Sequence, residues 1–180
     1  MNSEDYFAIA PGIFQARGER ILLGKDDMDM VVGTLSESPH GRSRICSHTS
    51  DIEPLHEMFI VLERYSYIRP HRHIGRSESF LLIEGVADVV FFNEDGSLDE
   101  VVRVERYGSG SPFYYRLNDS VFHTLIVRSK YLIYHECVNG PYDSEATEFA
   151  SWSPLPDSGA VAEYIAELEK EIKNMEKASE

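Results

Sequence analysis

The sequence predicts an all-β fold, a barrel or sandwich of short strands, with a small helical appendage before it and an amphipathic helix after it. Three observations lead there. From Arg42 onward, apolar and polar residues alternate with period 2 in runs of four to seven residues. Turn-forming residues punctuate those runs at short intervals. No stretch between them is long enough for a crossover helix, which disfavours a parallel α/β sheet.

The strands follow in order. Residues 1–24 hold two short candidates, Tyr6 to Ile9 and Arg20 to Leu23, separated by Pro11-Gly12 and Gly18. Asp26 to Ser36 reads as a helix, because Met28, Val31, Val32 and Leu35 recur at helical spacing behind a capping Asp26-Asp27. The β-rich runs are Arg42 to Ser47, Met58 to Leu62, Ser66 to Pro70, Glu78 to Ile83, Ala87 to Phe92, Val101 to Val104, Phe113 to Leu117, Val121 to Val127 and Tyr131 to Cys137. Gly75, Gly85, Asn93-Glu94-Asp95-Gly96 and Gly108-Ser109-Gly110 supply turns between them. Residues 139–159, with three Pro and two Gly, read as a loop. Val161, Tyr164, Ile165, Leu168, Ile172 and Met175 then form one helical stripe, suited to packing on the barrel or on a second copy. The expected organisation is one structural domain: residues 1–40 packed on the barrel, 41–140 the barrel itself, and 141–180 a wrapping loop and helix.

Bulk properties narrow the partners. The chain has 180 residues, enough for one domain with a real core. Its 31 acidic and 17 basic residues give a formal charge of -14, which repels phosphate backbones and anionic membrane surfaces. The expectation is no nucleic acid and no membrane. No apolar run approaches the roughly 20 residues of a membrane span, and the first residues show no secretory pattern, so a cytoplasmic location is expected. Two cysteines, Cys46 and Cys137, read as reduced thiols rather than a disulfide framework.

The chemistry concentrates in Pro70-His71-Arg72-His73-Ile74-Gly75-Arg76-Ser77-Glu78. On a strand, His71 and His73 point to one face, about 6.5–7 Å apart along the chain. Gly75 lets the chain turn, so Glu78 can return a carboxylate to the imidazoles. Two His and one carboxylate suit a divalent first-row metal, and Zn, Fe, Ni and Mn all accept such ligands. His123 stands on an otherwise apolar strand face with Val121, Leu125 and Val127. A buried imidazole there needs a partner, and a metal is one.

The spacing H-x-H-x4-E-x6-G, ending at Gly85, resembles the first motif of the cupins, and His123 stands where their second motif brings one more His. The match has departures: Tyr65 replaces the opening Gly of the first motif, and Asn118, Ser120 and Val127 replace Pro, Gly and Asn of the second. Residues 41–156 resemble the WbuC family of cupin metalloproteins. The resemblance is carried by Arg42 to His48, His56-Glu57-Met58, Tyr67 to His73, Glu78-Ser79-Phe80, Phe91 to Gly96, Tyr115-Arg116-Leu117, His123-Thr124, Glu136, Gly140 to Asp143 and Phe149 to Pro154. It implies a cupin jelly-roll barrel with one bound divalent metal on His71, His73, Glu78 and His123. It also implies a context of bacterial O-antigen and surface-polysaccharide genes, but no reaction. A homodimer is expected by analogy with the fold.

Further pocket residues are expected around that metal. Arg42 and Arg44 share a strand face and can hold a carboxylate or phosphate, with His48 beside them. Tyr67, Arg69 and Arg116 are further substrate-binding candidates. Tyr115 and Glu136 are the catalytic candidates, Tyr115 as a donor or acid and Glu136 as an acceptor that orients a ligand imidazole. His135 falls on the strand face opposite Glu136. Three functions stay open on these residues: a metal-dependent isomerase, epimerase or dioxygenase acting on a small polar, sugar-derived or anionic molecule; a non-catalytic module that binds a saccharide or regulates neighbouring enzymes; and a purely structural metal site.

Overall fold

The computed structural model describes residues 6–178. Strands β1 (Tyr6–Ala10) and β2 (Ile13–Ala16) form an N-terminal hairpin, followed by helix α1 (Lys25–Gly33). The barrel strands are β3 (Arg42–Cys46), β4 (Leu55–Glu63), β5 (His71–His73), β6 (Glu78–Glu84), β7 (Val86–Phe92), β8 (Leu98–Glu105), β9 (Tyr114–Leu117), β10 (Phe122–Val127), β11 (Tyr131–Asn139) and β12 (Thr147–Phe149). Helix α2 (Val161–Ala178) ends the described chain. One sheet runs β1-β2-β3-β4-β11-β6-β9 and the other β12-β5-β10-β7-β8. Among the described residues, every pairing is antiparallel except β2 with β3. The chain is therefore all-β in its main body, two sheets packed face to face, as its residue pattern predicts.

The alternation of side chains assigns the two faces of each sheet. Ile60, Leu62, Phe80, Leu82, Leu132 and Tyr134 of the larger sheet meet Ala87, Val89, Val104, Leu125 and Val127 of the smaller one, and this contact is the barrel core. The outer faces carry their own covers. Helix α1 seats Met28 and Val31 on Ile45, Val61 and Ile133. Helix α2 seats Leu168 and Ile172 on Val90, Phe92, Phe122 and Ile126. The tail helix thus covers its own barrel. β10 is buried along its whole length because both its faces are covered.

A charge network reinforces α2. Asp88 on the outer face of β7 is fully buried and accepts from Arg103, its cross-strand neighbour, and from Arg128 at 2.7 Å. Arg128 reaches on to Glu169 of α2 at 2.8 Å, and Arg103 to Glu176 at 3.4 Å. The carboxylate is a hub: it neutralises two arginines whose other ends hold the helix.

Several local expectations need correction. Arg20 to Leu23 forms no strand, and the hairpin is completed instead by Ile13–Ala16. α1 ends at Gly33, and a 3-10 turn (Leu35–Glu37) carries the chain on. Residues 66–70 are irregular, so the strand bearing the two histidines begins at His71. Residues 147–149 form a strand within the segment read as a loop, and they pair with β5. Cys46 and Cys137 are free thiols on opposite faces of the larger sheet, Cys46 opposite Met58 and Cys137 opposite Glu57.

Breaking a buried ion pair costs about 3–5 kcal/mol. Because Arg103 is half-exposed, Asp88→Ala is expected to lower the unfolding free energy by about 2–3 kcal/mol. Urea unfolding reads this value directly, and hydrogen exchange should show α2 losing protection first. A loss under about 0.5 kcal/mol would reduce the network to surface charge.

Candidate metal centre

Four elements deliver the site. β5 and β10 pair through a single register position, His123 opposite His71. Cross-strand neighbours lie on one face, so the two imidazoles are brought together, with ring centroids 4.6 Å apart. His73, two residues on, shares that face; its ring is 5.1 Å from His71 and 5.9 Å from His123. Gly75 at φ 67° turns the chain into β6, whose first residue is Glu78. Gly85 at φ 101° then closes β6 onto β7, and a Cβ there would lie 2.6 Å from the Tyr131 carbonyl oxygen.

The ring nitrogens are sorted by their partners. The Nδ1–H of His71 donates to the Arg69 carbonyl oxygen at 2.9 Å, and that of His123 to the Val121 carbonyl oxygen at 3.0 Å. Nδ1 of His73 lies 3.3 Å from the Thr147 hydroxyl on β12. A backbone carbonyl at Nδ1 fixes the tautomer and leaves Nε2 to act as ligand. Nε2 of His73 and of His123 each lie 2.9 Å from a different oxygen of Glu78. One ligand nitrogen from each of the three histidines falls within 4.8 Å of the others.

This donor set fits a divalent cation. Glu78 is 5% exposed and His123 4%. Oε1 of Glu78 has no hydrogen-bond partner of good geometry despite the imidazole beside it. A neutral His whose Nδ1 carries the proton offers the carboxylate a lone pair, and the two then repel. Either extra protons or a cation must offset that repulsion, and metal binding displaces such protons. Burial opposes ionisation of Glu78, but imidazoles that carry the extra proton donate to it, outweigh burial and hold the carboxyl well below the usual range. Burial alone would push His123 down, yet Glu78 raises it. His71, buried and next to His123, is pushed down to about 3 and stays a neutral imidazole.

A cavity of about 740 Å³ opens from this cluster. That lies within the usual size of a small-molecule site. Arg42, Arg44, His48, Tyr67, Arg69, Tyr115 and Glu136 all line it together with the four proposed ligands. Their roles divide. Arg69 is held by the wrapping loop: its Nε donates to the Ser153 hydroxyl at 3.0 Å and its Nη2 to the Ala150 carbonyl at 2.9 Å. Tyr67 lies before the histidine strand and donates to the Pro154 carbonyl at 3.0 Å. Both side chains line the cavity and also fasten the 150–154 segment. The expectation for Arg116 needs correction. The Arg116 side chain faces outward opposite Ser79 and donates to Asn118, outside the cavity.

Tyr115 and Glu136 do face the centre. Tyr115 stacks on Phe80 at 5.0 Å, and Phe80 on Tyr134 at 4.3 Å, giving the pocket an aromatic floor. Burial, then the Glu78 and Glu136 carboxylates, hold the Tyr115 phenol well above its ordinary value, so it remains a donor. Glu136 is diagonal to Glu78, which pairs with Val138. Burial first, and the Glu78 charge second, push its carboxyl up, while Arg42 and Arg44 oppose the shift. His135 sits on the outer face, tilted against Phe59 and 3.4 Å from Glu57. Trp152 is an anchor, packed on Phe92 and Phe122 beneath Gly96.

Sequence reasoning missed two residues here. His56 is 5% exposed and stacks on His48 at 4.0 Å within the cavity wall. Thr147 comes from the unrecognised β12. Alternation along β4 could have placed His56 inward with Met58 and Ile60; nothing local marked Thr147.

A family profile described as a domain of unknown function (DUF6016) matches residues 23–104. No curated protein matches the chain. Among solved structures, protein SO0799 from Shewanella oneidensis is similar, with a TM-score of 0.52, 10% identity, and coverage of 71% of this chain and 85% of that one. An oxalate decarboxylase mutant from Bacillus subtilis aligns at a TM-score of 0.44 and 16% identity, covering 54% of this chain and 24% of that one. An oxalate oxidase in complex with the substrate analogue glycolate aligns at 0.47 and 12%, covering 63% and 57%. At such identities the likeness concerns fold alone. The resemblance to the WbuC cupins accordingly stands at the level of the cupin fold and of a histidine cluster suited to a metal ion.

His71→Ala and His123→Ala are each expected to lose most of the metal from a purified, untagged protein. Thr147→Val should keep the ligands but weaken metal affinity by about 10-fold, the low end for a residue that orients a ligand. Elemental analysis and competition with a chromogenic chelator measure both effects. Full stoichiometric metal in either alanine variant would remove that histidine from the ligand set.

Proposed function

We propose that this protein is a metal-dependent cupin that binds one divalent ion on His71, His73, His123 and Glu78 and acts there on a small polar, sugar-derived or anionic molecule. The observation that carries this reading is the convergence of three imidazole Nε2 atoms and a buried carboxylate at the head of an open cavity. When bound, the ion supplies Lewis acidity towards a carbonyl or hydroxyl, or activates water or dioxygen.

The chain's own groups supply the rest. The carbonyls of Arg69 and Val121 hold two imidazoles in the ligand tautomer. Glu78 contributes the negative charge that a divalent ion requires. Tyr115, kept neutral, can donate a hydrogen bond to an oxygen that gains charge in the reaction. Glu136, whose raised carboxyl carries a proton more readily than an ordinary Glu, can deliver or receive one at the same face. A closed structural site would need neither group. The surface-polysaccharide context implied by the WbuC resemblance supports a sugar-derived molecule. The non-catalytic alternative uses the same pocket without proton transfer.

The protein purified without added metal is expected to contain about one divalent ion per chain, and a chelator should lower its melting temperature. Glu136→Gln should retain the metal while removing the proton-transfer group. If no ion binds, even after reconstitution with Zn, Fe, Ni or Mn, the metal reading fails and the cavity becomes a polar binding site.

A further inference from the structure

Building on that metal reading, we propose that Arg42 and Arg44 form an oxyanion subsite in the cavity that holds the metal cluster, and that the molecule taken into the cavity places a carboxylate or phosphate group there. Both arginines line the cavity together with His56 and the metal cluster. Arg42 and Arg44 lie two apart on β3, opposite Leu62 and Ile60 of β4, both of which point into the barrel. Alternation therefore turns both guanidinium groups inward. His56 stands opposite Val138, which in turn pairs with Glu78, so a single transverse row runs from His56 to the metal carboxylate.

These donors are under-satisfied, although the Arg44 guanidinium also lies against the Cys46 thiol. Nε of Arg42, Nε of Arg44 and Nε2 of His56 are all buried and have no hydrogen-bond partner. Among the described residues, neither arginine enters an ion pair. In a chain with 31 acidic residues, an arginine has many carboxylates available. The surface arginines use them: Arg72 holds Glu94 and Glu148, and Arg103 and Arg128 share Asp88. Glu136 feels the charge of the two inner arginines, but among the described residues it forms an ion pair with neither. Buried donors without partners are costly, and two planar forks side by side match the oxygens of a carboxylate or phosphate.

The charge sum points the same way. With Glu78 as the only anionic ligand, a divalent ion leaves the cluster positive, and the arginines add to that inside one cavity. An anionic guest offsets both. β3 stands three strands from β6, roughly 14 Å across the backbone, and Arg44, opposite Ile60, lies roughly 13 Å further along the strands from the His56–Glu78 row. Long side chains from both sides shorten that gap, and both groups line the one cavity that a guest would span.

The test uses the full chain with sodium phosphate and sodium malonate as probes, against sodium chloride at matched ionic strength. The readout is the arginine Nε–Hε signals in nitrogen-15 NMR, assigned with Arg42→Lys and Arg44→Lys, alongside metal content. A saturable shift of both signals is expected with at least one probe; the probe that binds more tightly identifies the preferred group. Arg44→Gln should weaken binding by about tenfold or more, the worth of one charged hydrogen-bonded contact. Arg44→Lys should fall between, since an ammonium keeps the charge but lacks the fork. Metal content should stay unchanged in both variants. No saturable shift with either anion, in protein that carries its metal, overturns the subsite and leaves the metal centre standing. Binding that persists in Arg44→Gln and Arg42→Gln overturns it too. Anion binding in protein that takes up no metal would instead refute the metal reading and keep the subsite.

Discussion

The buried carboxylate of Glu78 is the constraint around which the barrel mouth is arranged. An ionised carboxylate inside a protein costs several kcal/mol after relaxation unless charge and hydrogen bonds compensate it. Here the compensation comes from His73 and His123, one imidazole at each oxygen. Those rings are in turn fixed from behind, by the Val121 carbonyl and the Thr147 hydroxyl. Three-residue strands would be weak on their own, but β5 lies between β10 and β12 and borrows their order. The irregular stretch before it is tied by Arg69 and Tyr67 to the 150–154 loop. Each of these contacts holds an imidazole where Glu78 needs it.

The same physics explains why the interior has two unlike halves. Away from the mouth, both sheets present aliphatic side chains and pack as an ordinary core. The aromatic layer of Tyr115, Phe80 and Tyr134 ends that core. Strand alternation continues unchanged, but the inward positions at and above that layer become Glu136, Glu78 and His56, while Arg44 and Arg42 stand on β3 opposite Ile60 and Leu62. Backbone geometry thus places ionisable groups at core positions, and the aromatic floor lowers the dielectric beneath them. Burial raises Glu136, with the Glu78 charge adding to it, whereas at Glu78 the imidazole hydrogen bonds outweigh the same burial, so the two carboxyls shift in opposite directions within one pocket.

Much of this is legible in the residues. Period-2 alternation marks most barrel strands, and the spacing of His71, His73 and Glu78 around Gly75 already encodes a strand, a turn and a return. His123 is legible because an imidazole on an apolar strand face demands a polar partner of its own. The illegible part depends on long-range pairing. Thr147 belongs to a three-residue strand in a Pro-rich segment and exists only because β5 offers it an edge. Arg69 lines the cavity, as its place near His71 suggests, but tertiary contacts also direct its guanidinium to Ser153 and Ala150. Arg116 is misplaced by a strand pattern that gives two faces without saying which is inner; register against Ser79 decides it. His56 carries a sequence signal, alternation with Met58, that gains meaning only once the inner face is known.

Burial of charge finally bears on whether the centre is structural or functional. A barrel that needed only stability could fill its mouth with aliphatic side chains, since replacing buried ion pairs by well-packed apolar residues is often neutral or stabilising by about 1–4 kcal/mol. The outer face shows that this chain can satisfy buried charge fully: Asp88 has both its arginines and they have their helix partners. Inside, Arg42, Arg44 and His56 each leave a buried nitrogen without a partner. The contrast within one molecule is the informative part. Incomplete pairing at the mouth raises the energy of the empty pocket and lowers it again when a complementary guest enters, which is how a site gains affinity from groups already held in place.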